Sequence, residues 1–154
     1  MTSSTARKAV LGDWNRVVRD PLDVLRLVFL AGIVLFVILG DVKGVGNLAV
    51  ASVAVLLARA AQLPRLYDLA VIIAMAFTGW GEAVGLYDSI SWYDNVVHFI
   101  VPLLTSQVLY LCLARIEVLP DLQQETLPRH HLGIFVVTFA LGVAVGGLWE
   151  IVEY

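Results

Sequence analysis

The sequence predicts an all-α protein, a multi-pass transmembrane bundle of about five spans preceded by a short N-terminal amphipathic interfacial helix. Three observations predict it. Hydrophobic residues make up 60% of the 154 residues and charged residues only 15%, with a mean hydropathy of +0.86. Soluble domains are about 45–50% apolar and about 25% charged. The apolar residues fall in runs near the roughly 20 residues that cross a bilayer. The Lys and Arg residues collect on alternate connections, as the positive-inside rule requires.

The first 21 residues read as a cytoplasmic segment. Val10, Leu11, Trp14, Val17 and Val18 recur at helical spacing, while Lys8, Asp13, Arg16 and Arg19 take the other face. That pattern fits a helix lying on an anionic inner leaflet. Pro21 marks the break before the transmembrane domain, residues 22–154. No Ala-x-Ala-type cleavage site follows the first apolar run, so a removed signal peptide is not expected.

Five spans follow, over residues 22–39, 44–63, 66–86, 93–114 and 132–154. Arg26 and Arg59 lie within a turn of an interface, where long stems are expected to snorkel to the headgroups. Arg7, Lys8, Arg16, Arg19, Arg26, Arg59, Arg65, Arg115 and Arg129 fall on one side and Lys43 alone on the other. Nine positives against one place the amino terminus in the cytoplasm and the carboxyl end outside. The loop 87–93 carries three aromatics and no Lys or Arg, and reads as an outer interfacial belt.

Net charge is −3, which gives nucleic acid binding no electrostatic support. The lone Cys112 has no partner for an internal disulfide, and like Met75 reads as packing. His130 and His131 are adjacent, so they point in different directions, and no third ligand stands nearby. They read as solvated loop residues.

The residues that carry a functional reading are Glu82, Asp94, His98, Glu150 and Glu153. In alternating spans all five reach a similar depth near the outer face. Ionisable groups inside a membrane are expensive and usually face a partner, a cavity or an ion. Asp94 and His98 are four residues apart and share a helix face, continued by Pro102 and Thr105. Gly142 and Gly146 form a small-xxx-small pair for close helix packing, and Glu150 and Glu153 fall within about a quarter-turn arc of them. The expectation is one shared pocket that binds a metal or a proton. A divalent metal is the candidate cofactor, since carboxylate and imidazole suit Zn, Mn or Fe and carboxylates alone suit Mg or Ca. Four of the five also have a plainer role: Asp94 as a helix cap, His98 as a packing residue, Glu150 and Glu153 as solvated anchors.

The motif Tyr93-Asp94-Asn95-Val96-Val97-His98-Phe99, followed by Gly147-Leu148-Trp149-Glu150-Ile151-Val152-Glu153-Tyr154, resembles the uncharacterised YjdF-like family of bacterial inner-membrane proteins. It is more distantly similar to the VanZ-like membrane proteins. The resemblance covers about half of the chain, from Gly79 to Tyr154. It implies a multi-pass membrane protein, with Asp94, His98, Glu150 and Glu153 at the family's polar positions, and no established chemistry. Such proteins continue past the Glu-x-x-Glu helix into a further span, so the sequence is expected to be a fragment lacking it.

Three functions stay open: an enzyme whose metal activates water against a lipid-linked envelope substrate, a small proton or cation transporter, and a non-catalytic accessory subunit. The inner half of each helix reads as apolar, which counts against the transporter. No nucleophile motif supports the enzyme, and the catalytic residues are unknown.

Overall fold

The computed structural model describes residues 20–120 and 128–153. The interfacial helix expected before Pro21 lies outside them, as does part of the loop before the last span. The described residues are helical without a strand, and five helical stretches are long and apolar enough to cross a membrane.

Helix α1 spans Pro21–Leu39. Asp20 caps it by accepting a hydrogen bond from the Leu22 N–H, and Pro21 occupies the first turn, where no N–H is needed. Gly40 ends it at φ 71°, in the left-handed region open to glycine. Asp41 then caps α2, Val42–Ala60, through the Gly44 N–H. Gln62 turns the chain at φ 50° and Pro64 precedes α3, Arg65–Met75.

The third span is not one regular helix. Ala76–Trp80 forms a π-helical turn, and only a three-residue helix, α4 (Gly81–Ala83), follows. The wide turn shifts the backbone register, and the Phe77 carbonyl accepts a hydrogen bond from the Tyr93 hydroxyl at 2.8 Å. Gly81 makes room for that tyrosine, because a Cβ there would lie 2.7 Å from Tyr93 Cε1. Gly85, at φ 73°, leads into the short α5, Leu86–Ser89. The long helices α6, Tyr93–Arg115, and α7, Pro128–Glu153, complete the chain.

The described residues form two compact units, one ending at Asp94 and the other starting at Asn95. In the first, Phe29, Phe36, Leu48, Ala51 and Val55 are buried. Gly32 lets α1 and α2 close over Trp80: a Cβ at Gly32 would lie 2.6 Å from Trp80 Cζ2 and 2.8 Å from Leu48 Cδ1. In the second unit, a Cβ at Gly142 would lie 3.4 Å from Ser106 Cβ, and one at Gly146 3.4 Å from Pro102 Cγ. Both glycines thus face α6. Outer faces such as Val34, Ile38, Phe99, Phe135 and Phe139 are exposed and apolar, as a lipid environment requires.

The snorkelling expected of Arg26 and Arg59 is not what the structure contains. Arg26 is only 4% exposed and turns inward. Its Nη1 donates to Asp23 Oδ1 at 2.7 Å, its Nε to the Val55 carbonyl at 3.3 Å, and its Nη2 to Asp68 Oδ2. Arg59 grips Asp23 with two nitrogens, at 2.9 and 3.1 Å. Three helices are therefore joined by buried charge. The reading of the inner half of each helix as apolar is corrected too: Asp23, Arg26, Arg59 and Asp68 lie at one end of the first three spans. Pairing wins because a guanidinium reaching three acceptors inside the bundle needs no headgroup.

Candidate functional site

His98 lies in the second turn of α6, and Glu150 lies near the end of α7. Both helices are otherwise apolar over most of their length. Within the second unit, His98 Nδ1 is 3.4 Å from Glu150 Oε2. The Trp149 ring stands edge-on to the imidazole, with centroids 6.2 Å apart. The imidazole is largely covered and the Glu150 carboxylate about half exposed. Pro102, one turn further along α6, has no N–H to give to the His98 carbonyl.

His98 lines one end of a groove of about 600 Å³ between α6 and α7. Pro102, Ser106, Gly142 and Gly146 form its floor, and Phe99, Phe135 and Phe139 its walls. The glycines set its depth, since side chains there would fill it.

The other expected site residues are placed as follows. Asp94 is half-buried, one turn before His98 on the same helix. Glu153 is the last helical residue of α7, one turn after Glu150, and its side chain lies outside the described set. Glu82, in the first unit, pairs with Lys43 at 2.6 Å. Among the described residues, no group of three or more His, Cys, Asp or Glu side chains is arranged to hold a metal ion.

Sequence reasoning missed the Asp23–Arg26–Arg59–Asp68 cluster. A signal for it exists: opposite charges at matching depth on three consecutive spans. It also missed the partner of Glu82, although Lys43 is the one cation expected on that side.

Residues 23–154 match the family model described as predicted membrane protein (DUF2238). The chain belongs to that family. Its description agrees with the five spans of this chain. No curated protein and no solved structure matches the chain.

Proposed function

We propose that this protein is a bacterial plasma-membrane protein with an outward-facing cation site on His98 and Glu150, in which the cation is a proton. The observation that carries the reading is the 3.4 Å approach of His98 Nδ1 to Glu150 Oε2 across two apolar helices. An imidazole and a carboxylate can share one proton without any further ligand, and such pairs inside membranes mark proton relays. The nine-to-one charge bias supports a cytoplasmic amino terminus and an extracytoplasmic carboxyl end, which puts the pair on the outer side. Asp94 and Glu153, each one turn away along the same helices, would tune the site. Gly142 and Gly146 bring α7 against α6 below it. The resemblance to YjdF-like and VanZ-like proteins rests on these same polar positions.

A metal fits less well. Zinc wants three or four protein ligands, and the described pair supplies two; Asp94 or Glu153 would have to complete the set. The groove ending at His98 favours this second reading, in which a lipid-linked substrate lays its tail along the groove and its head at the metal.

Trp149 supplies the test. Protonated imidazole quenches a neighbouring indole, so acid should quench tryptophan emission of the purified protein. The quenching should vanish in Trp149→Phe and His98→Gln and change its pH dependence in Glu150→Gln. Quenching that all three variants retain would refute the proton site. Stoichiometric metal found by elemental analysis would favour the second reading.

A further inference from the structure

The buried charge cluster of the first unit contains one acceptor that its neighbours leave unused. Asp68 is only 8% exposed, and its Oδ2 takes the Arg26 guanidinium. Among the described residues, its Oδ1 is buried with no hydrogen-bond partner. An ionised carboxylate offers about four lone-pair sites and is costly to bury with half of them bare.

The two acids of the cluster are not equivalent. Asp23 is held by Arg26 at 2.7 Å and by Arg59 through two nitrogens. Among the described residues, Asp68 meets the single cation Arg26. The next cation on its own helix, Arg65, is turned to Asp20 at 3.0 Å. The charged groups gathered around Asp68 are thus Arg26 and Asp23 from α1, Arg59 from α2, and the Arg65–Asp20 pair at the rim.

We propose that Asp68 is a proton-binding carboxyl group, a second ionisable site whose protonation on Oδ1 turns the charged tie between the third span and Arg26 into a neutral contact. The proton comes from water and bonds to Oδ1, the carboxylate becomes a neutral acid, and Arg26 keeps its own proton and its bond to Asp23. No other bond forms or breaks. What changes is the tie between α1 and α3, from a charged pair to a neutral contact. The site stands at the opposite end of the first unit from the Lys43–Glu82 pair, and it does not depend on the His98–Glu150 reading.

Infrared difference spectroscopy of the protein in lipid nanodiscs, between alkaline and acidic buffer, tests this directly. A carboxylic C=O band should appear on acidification, shift when aspartate carboxyls carry carbon-13, and disappear in Asp68→Asn while persisting in Asp23→Asn. Wild-type protein alone keeps the proposal exposed if a variant fails to fold. No band, or a band that ignores the aspartate label, overturns it, as does a band that survives in Asp68→Asn.

Discussion

Replacing Arg26 by methionine should destabilise the protein by about 3–5 kcal/mol, the usual cost of stripping one partner from a buried ion pair. The structure makes the loss specific. Arg26 gives hydrogen bonds to Asp23, Asp68 and the Val55 carbonyl. Asp23 keeps Arg59 after the change, so most of the penalty falls on Asp68, which has no second cation among the described residues. Methionine keeps the length and apolar stem, so packing loss is small. Arg65→Met is the internal control. Its partner is Asp20 at the rim, its own side chain is 45% exposed, and such a pair is worth about 0–1 kcal/mol. Unfolding in mixed micelles, followed by circular dichroism, measures both. A double variant, Arg26→Met with Asp68→Leu, should recover part of the loss because no buried carboxylate is left without a cation. If Arg26→Met is as mild as Arg65→Met, or if the double variant is worse than the single one, the charges are solvated and the cluster argument fails.

Gly81→Ala should lower thermal stability by about 1–3 kcal/mol, because the new methyl displaces Tyr93 from the Phe77 carbonyl; Tyr93→Phe should cost about 1 kcal/mol through the hydrogen bond alone. Gly146→Leu should be less stable in detergent than the parent by about 1–3 kcal/mol, because its side chain meets Pro102, whereas Gly147→Leu points into open space and should be neutral. Equal melting of the two leucine variants would contradict the packing. A reporter fused after Tyr154 should be active only outside the cytoplasm, and cytoplasmic activity would reverse the orientation.

The spans were legible because hydropathy and length report on lipid directly. All five apolar stretches read from the sequence coincide with helices. The broken third span was not legible. Gly79, Trp80 and Gly81 read as small residues around a carboxylate, but a π-helical turn is decided by which carbonyl finds another donor, here Phe77 with Tyr93. Arg26 was misread for a related reason. A cation one turn inside an interface looks the same whether it snorkels or pairs, and the choice rests on Asp68, 42 residues away. The depth argument that set His98 level with Glu150 needs only two helix lengths. The faces they present depend on Gly142 and Gly146, a packing stripe whose neighbour is expected to be the fourth span because that span carries Asp94 and His98, and Ser106 and Pro102 of that span are what the two glycines meet.

The central claim is that His98 and Glu150 form one site in the bilayer. Solid-state NMR of membrane-embedded protein, with nitrogen-15 at His98 Nδ1 and carbon-13 at the Glu150 carboxyl, measures it most directly. The structure places Nδ1 3.4 Å from Oε2, so direct dipolar dephasing between the two labels is the predicted result. Labels that do not dephase one another would put the two side chains in separate environments and contradict the account.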